Sequence, residues 1–113
     1  SRHRMNFDEL IRQFTALPPG TDNFLKVKDE MILLTEADPG HAAAYFLVYG
    51  FARSYVRLYE DQGISPEFAA TAKTQLLGYM NRLAEAFHAG EAQDLIDAMN
   101  WIVLDYNKSG KIF

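Results

Sequence analysis

The sequence predicts an all-α fold, a single-domain antiparallel bundle of about five helices with short turns that contain proline and glycine. Apolar residues recur at helical spacing, whereas no segment shows the alternation typical of a strand. No Asn-Gly or Asp-Gly hairpin turn is present. Because the connections have only a few residues, we expect consecutive helices to run antiparallel.

The first two helices are predicted from their caps and stripes. Asn6 precedes the first helix and Glu9 follows three residues later, which is the pattern of a capping box. Pro18-Pro19-Gly20 ends this helix, and a second one runs from about residue 21 to 37. The apolar stripes are Phe7, Leu10, Ile11 and Phe14 in the first helix, and Phe24, Val27, Met31 and Leu34 in the second.

The next two helices share a starting pattern, an N-cap residue followed by proline. Asp38 and Ser65 each stand directly before a proline, and Gly63 and Gly90 stand where the helices should end. A fifth helix fills most of the remaining chain. The predicted ranges are 38–62, 66–89 and about 91–107.

Length and composition indicate one folded domain. A chain of 113 residues buries about two-thirds of the surface of its unfolded form, enough for a core without metal or disulfide bonds. Hydrophobic residues make up 49% and charged residues 23%, close to ordinary globular usage. Residues 1–4, Ser-Arg-His-Arg, are interpreted as a cloning remnant before Met5, so the domain is assigned to residues 5–113.

Cysteine usage and the N-terminus bear on location. The chain contains no cysteine, which excludes disulfides, thiolate nucleophiles and thiolate metal sites. A reducing compartment would therefore be harmless, and no secretory signal pattern is visible. We expect a cytoplasmic protein.

The charge balance bears on partners. The formal net charge is −4, and it becomes −6 if Arg2 and Arg4 are discarded with the remnant, leaving 9 basic and 15 acidic residues. This sign disfavours nucleic acid and favours a basic partner. The uninterrupted apolar run of residues 42–52 is far shorter than the roughly 20 residues of a membrane span, so no membrane is expected.

The third helix is apolar on several sides over the stretch AAAYFLVYGFARSYVRLYE, residues 42–60. One face alternates small and large residues as a close helix–helix contact would require: Ala43, Leu47, Gly50, Phe51, Ser54 and Leu58. The opposite face carries four tyrosines: Tyr45, Tyr49, Tyr55 and Tyr59. Either the helix is buried on both sides, or the tyrosines form a docking surface, where one end of each ring can be wet.

The fifth helix separates an apolar stripe from an acidic face. The predicted stripe is Ala92, Leu95, Ile96, Met99, Ile102, Val103 and Tyr106. Trp101 lies opposite, among Asp94, Asp97 and Asp105. Trp101 either packs against the first helix or a loop, or it anchors a partner that the aspartates steer inward.

Catalytic and metal patterns are weak in this sequence. Glu85-x-x-His88 resembles one half of a di-iron site, but a second such pair is missing. No nucleophile elbow or phosphate-binding loop occurs. We therefore predict no catalytic, cofactor-binding or metal-binding residues and a role other than catalysis.

Two functional hypotheses remain open, with a third of lower rank. In general character the chain is similar to bacterial immunity and antitoxin proteins, which are often small, acidic, cysteine-free and helical. This predicts an inhibitor that occludes the active site of a basic toxin through its Asp/Trp/Tyr surface. The alternative is a homo-oligomeric scaffold or adaptor, such as a homodimer, joined through the tyrosine face. The third is a ligand-binding bundle with a cavity lined by tyrosines.

Overall fold

A computed structural model describes residues 5–113 and shows five α-helices with no strand in that range. The helices are α1 (Phe7–Ala16), α2 (Thr21–Ala37), α3 (Ala42–Tyr59), α4 (Pro66–Ala89) and α5 (Ala92–Lys108). They form a slab of 41 × 40 × 21 Å. The predicted all-α single domain is confirmed, whereas the proposed cloning remnant, residues 1–4, lies outside the described residues.

The predicted caps of α1 and α4 are present. Asn6 Oδ1 accepts a hydrogen bond from the Glu9 N–H at 2.8 Å, and the Glu9 carboxylate accepts one from the Asn6 N–H at 3.3 Å. At α4, Ser65 Oγ accepts from the Phe68 N–H at 3.1 Å. Gly90 ends α4 in the left-handed region with φ 77°, where glycine avoids the strain of a Cβ.

The start of α3 differs from the prediction. Asp38 precedes a 3₁₀ turn, Pro39–His41, and its side chain makes no capping hydrogen bond. Its carboxylate instead accepts from the Tyr45 hydroxyl and faces the His41 ring, each at 2.7 Å. These two side-chain partners outcompete the backbone, so α3 begins only at Ala42; it ends at Tyr59, three residues before the predicted end.

The core is rich in aromatic rings between helices. The longest packing contact runs between antiparallel α2 and α3, where Phe24 and Tyr55 stack with ring centroids 3.9 Å apart. Phe14 of α1 meets Phe24 edge-on at 5.2 Å, and Phe7 meets Phe87 of α4 at 5.4 Å. These ring contacts join α1 to α2, α2 to α3 and α1 to α4.

A lysine joins α4 to the end of α1. Lys73 Nζ donates to the carbonyl oxygens of Thr15 and Leu17 at 2.8 and 2.7 Å. Carbonyls at a helix C-terminus lack partners within the helix, and a cation there also matches the helix dipole. Lys73 therefore fixes the point at which the chain leaves α1.

The tyrosine face of α3 points into the protein, which corrects the expected four-tyrosine docking surface. Tyr45 is only 3% and Tyr55 only 1% exposed, while Tyr49 and Tyr59 are half-buried. The face predicted to make the close helix contact is the outer one, where Phe46 is 68% exposed. Because α3 is apolar all round, its periodicity does not tell which side is covered.

Helix α5 is rotated relative to its predicted stripe. Only Ala98 and Ile102 are buried, whereas Ile96 and Val103 are 46% and 41% exposed. The helix lies at the edge of the slab and packs mainly on α4, so one neighbour covers only a narrow side of it. Within residues 5–113, no helix combines the length and apolarity needed to cross a membrane.

Candidate functional site

The end of α4 and the start of α5 enclose an open cleft of about 470 Å³. Three alanines keep the space open because their side chains are short, and two of them, Ala86 and Ala98, are buried. The lining residues are Arg82, Glu85, Ala86 and Ala89 from α4 and Asp94, Asp97, Ala98 and Trp101 from α5.

Trp101 forms one wall of the cleft. Its ring meets Tyr79 edge-on with centroids 6.3 Å apart, and the Arg82 guanidinium carbon lies 3.7 Å from the indole centroid. The side chain remains 39% exposed. Trp101 is thus held in place by two α4 residues while part of its surface faces water, as at many protein-binding sites.

Three carboxylates share the cleft with Trp101, those of Glu85, Asp94 and Asp97. Within residues 5–113 none of them forms an ion pair with lysine or arginine; Asp97 accepts a hydrogen bond from Gln93 at 2.8 Å. Three carboxylates against the single Arg82 guanidinium give the cleft a formal charge of −2. The partial negative charge at the C-terminal end of α4 and the partial positive charge at the N-terminal end of α5 oppose each other here, so the side-chain charges decide. The cleft therefore favours cations.

Asp105, which was predicted to belong to the same acidic face, has a different role. Its Oδ2 accepts from the Tyr79 hydroxyl at 2.8 Å, and Gln75 donates to that hydroxyl at 2.8 Å and to Ser109 Oγ at 3.2 Å. Burial raises the pKa of Tyr79 to about 12; the Gln75 hydrogen bond opposes this rise and the Asp105 bond reinforces it. Asp105 joins α5 to α4 and does not line the cleft.

The four tyrosines of α3 are dispersed between the core and other surfaces. Burial raises the pKa of Tyr45 above its ordinary value, and its hydrogen bond to Asp38 adds to the rise. Burial also raises the pKa of Tyr55, with a further contribution from Tyr59. Tyr49 stacks on exposed Phe46 with centroids 5.9 Å apart.

A second open cleft, about 400 Å³, lies at the C-terminal end of α3. It includes Tyr55 and Tyr59, so only two of the four tyrosines of the expected ligand cavity meet in one place. The rest of the lining comes from two turns and the starts of α2 and α4: Pro18, Pro19, Gly20, Thr21, Glu60, Gln62, Ile64, Pro66 and Ala69. It carries one carboxylate and no tryptophan, and is less suited to a charged partner.

Residues 5–113 contain two histidine–aspartate pairs, His41 with Asp38 and His88 with Asp8. The His41 ring packs on Phe87 with centroids 4.3 Å apart, and His88 Nε2 lies 2.8 Å from Asp8 Oδ2. His41 is half-buried. Its hydrogen bond to Asp38, followed by that of Tyr45, lowers the pKa of Asp38. Within residues 5–113, no group of three or more His, Asp or Glu side chains could hold a metal ion.

Of the five charged and aromatic residues that line the cleft, the sequence pattern predicted the three from α5 and not the two from α4. Asp94, Asp97 and Trp101 share a helix face and come together as predicted, whereas no pattern in the sequence singled out Arg82 and Glu85 for this cleft. The missed signal is the register of the helical hairpin. Gly90 closes a short turn between α4 and α5, and the packing of the two helices brings Arg82, eight residues before Gly90, over Trp101, eleven residues after it.

Comparison with known proteins supplies no relative: the chain matches no family model, no curated protein and no solved structure at a significant level.

Proposed function

We propose that this protein binds a basic partner protein by receiving one of its lysine or arginine side chains in the cleft between α4 and α5. The observation that carries the proposal is the position of half-exposed Trp101 beside three carboxylates that no lysine or arginine of residues 5–113 neutralises. Interfaces of this kind draw affinity from the aromatic anchor and association rate from the charges.

The cleft suits both parts of a long basic side chain. The aliphatic stem packs on the alanine floor and the free part of Trp101, while the charged head reaches Asp94, Asp97 or Glu85. Arginine fits best because its planar guanidinium can pair with a carboxylate through two hydrogen bonds. The proposed role is binding, without a reaction of its own.

The partner class we propose is a basic toxin, which the protein would inhibit by covering the toxin's active site. An acidic inhibitor gains fast encounter with such an enzyme from charge, and occlusion needs no catalytic group on the inhibitor. The homo-oligomer hypothesis loses its basis, because the tyrosine face that it needs contains the buried Tyr45 and Tyr55.

The cleft can be tested directly because Trp101 is the only tryptophan in the chain. We would titrate the protein with blocked tripeptides Ala-Arg-Ala, Ala-Lys-Ala and Ala-Glu-Ala and record Trp101 fluorescence at low and at physiological salt. The arginine and lysine peptides should change the emission, more strongly at low salt, whereas the glutamate peptide should not. An equal response to all three peptides, or none, contradicts the proposal.

A matched pair of variants separates the cleft from the overall acidity. Asp94→Asn with Asp97→Asn removes two charges from the cleft, and Asp22→Asn with Asp29→Asn removes two exposed charges from α2. Only the first pair should weaken binding of the arginine peptide.

The inhibitor role makes a further demand on a natural partner. A protein that binds through the cleft should be basic, and its activity should fall as it is saturated. An acidic partner, or one whose activity is unchanged in the complex, excludes the inhibitor role.

A further inference from the structure

The outer face of α3 borders a shallow groove of about 250 Å³ that lies on a different surface from the cleft between α4 and α5. Its floor and walls are mostly apolar or aromatic. The lining residues are Phe46, Leu47, Gly50, Phe51 and Ser54 of α3, with Tyr106 of α5 and Phe113.

The groove has an aromatic rim and an open centre. Phe46 stands at the rim with 68% of its surface exposed, the most exposed large hydrophobic residue in residues 5–113. A Cβ added to Gly50 would meet no atom within 4 Å, so the groove has free space at this point. An apolar side chain from outside can therefore approach the α3 backbone closely.

Two arginines lie beside this groove. Arg53 and Arg57 are exposed, one helical turn apart, on the outer face that also carries Gly50 and Ser54. Although Glu60 and Asp61 are close in sequence, within residues 5–113 neither arginine forms an ion pair.

We infer that the outer face of α3 docks an acidic amphipathic α-helix of another protein. Apolar side chains of that helix would fill the groove beside Gly50, and carboxylates one turn apart would meet Arg53 and Arg57. Residues four apart on a helix have Cβ atoms about 5–6 Å from each other, so two carboxylates at this spacing on the partner helix match the spacing of Arg53 and Arg57.

This inference is independent of the proposed function, because the two sites select opposite charge. The cleft has a formal charge of −2, whereas the two arginines make the border of the groove locally positive. Although the whole chain is acidic, charges beyond about 8 Å are largely screened at physiological salt, and on α3 Arg53 and Arg57 lie closer to Gly50 than Glu60, which is ten residues from it.

The test uses two dye-labelled helical peptides and fluorescence anisotropy at physiological salt. Both carry leucines at positions i, i+4 and i+7; one has glutamates beside them and the other has lysines. The glutamate peptide should bind the protein, and its affinity should fall at least about tenfold with Arg53→Glu plus Arg57→Glu. Arg12→Glu, which reverses another exposed arginine on α1, should leave it unchanged.

A second variant blocks the groove without weakening the fold. Gly50→Leu should raise thermal stability, because leucine forms helix better than glycine by about 1 kcal/mol and the added Cβ has free space. It should nevertheless weaken the glutamate peptide at least about tenfold. Asp94→Asn with Asp97→Asn should weaken binding of the lysine peptide, which the acidic cleft would bind, and leave binding of the glutamate peptide unchanged. The glutamate peptide thus tests the groove, and the lysine peptide tests the cleft.

Three results would overturn the inference. The first is that the glutamate peptide does not bind, and the second is that its binding is unchanged by both the arginine reversal and Gly50→Leu. Alternatively, sedimentation shows a dimer that Gly50→Leu dissociates; the face would then be occupied by a second copy of the chain.

Discussion

The guanidinium of Arg82 lies 3.7 Å from the centroid of the Trp101 ring, so the aromatic wall of the acidic cleft is already in contact with a cation. This contact comes from the protein itself and joins α4 to α5 where the cleft opens. Arg82 stacks on Trp101 and forms no ion pair with the three carboxylates of the cleft, which have no basic partner in residues 5–113. Arg82 also competes electrostatically with any incoming cation.

Removing that competitor should strengthen binding. Arg82→Gln keeps helix propensity and changes the formal charge of the cleft from −2 to −3. We expect affinity for the blocked arginine peptide to rise about threefold to fivefold, and stability to fall by about 0.5–1 kcal/mol from loss of the cation–π contact. Arg12→Gln is the control, since that arginine lies on α1 outside the cleft. Weaker binding by Arg82→Gln would show that Arg82 is part of the receptor surface.

Trp101→Ala should affect binding more than stability. Truncating the anchor should cost about 2 kcal/mol in binding of the basic partner, measured by titration calorimetry. Because Trp101 is 39% exposed, the loss of folding stability should be only about 1–2 kcal/mol. Its neighbour Ile102, fully buried, is the contrast: Ile102→Ala should cost about 2–5 kcal/mol of stability. Equal melting of the two variants would identify Trp101 as core.

Tyr79→Phe tests the polar connection between α4 and α5. It removes the hydroxyl that donates to Asp105 and accepts from Gln75, and we expect a loss of about 1–2 kcal/mol in urea unfolding. Tyr49→Phe is matched in chemistry, since its hydroxyl makes no hydrogen bond within residues 5–113, and should change stability by less than about 0.5 kcal/mol. Equal losses would show that the hydrogen bonds to Asp105 and Gln75 do not stabilise the fold.

Stability should fall at alkaline pH because the fold favours neutral phenols. Burial raises the pKa of Tyr79 from 10.0 to about 12 and also raises those of Tyr45 and Tyr55. The contribution of Tyr79 is complete below pH 10 and is lost as pH rises towards 12, since only the unfolded chain ionises there. The ultraviolet absorbance of tyrosinate in folded protein at pH 10.5 should thus remain well below that of the same protein unfolded. Equal absorbance would contradict the buried placement.

Local signals explain why helix positions could be predicted from the sequence. Asn6 bonds to Glu9 three residues on, Ser65 bonds to Phe68 three residues on, and Gly90 directly follows α4; the structure contains these caps as predicted. Asp38 failed as a cap because Tyr45, seven residues away, takes its carboxylate. Such a competition depends on how the chain folds around the turn, which a capping rule does not include.

The burial of helix faces was harder to predict. The outer face of α3 is as apolar as its inner face, so hydrophobicity alone could not show that Phe46 is outside and Tyr55 inside. For the cleft, Asp94, Asp97 and Trp101 followed from helical spacing. Asp105 shares that spacing but is bound by Tyr79, a contact fixed by the register of α4 against α5.

The most direct test of the central claim is a nuclear magnetic resonance titration of the single indole N–H of Trp101 with blocked arginine peptide. We expect this signal and the backbone signals of Glu85, Asp94 and Asp97 to shift together at low salt and to shift less at physiological salt. If the indole signal stays in place while signals elsewhere shift, the cleft is not the binding site and the proposed function is wrong.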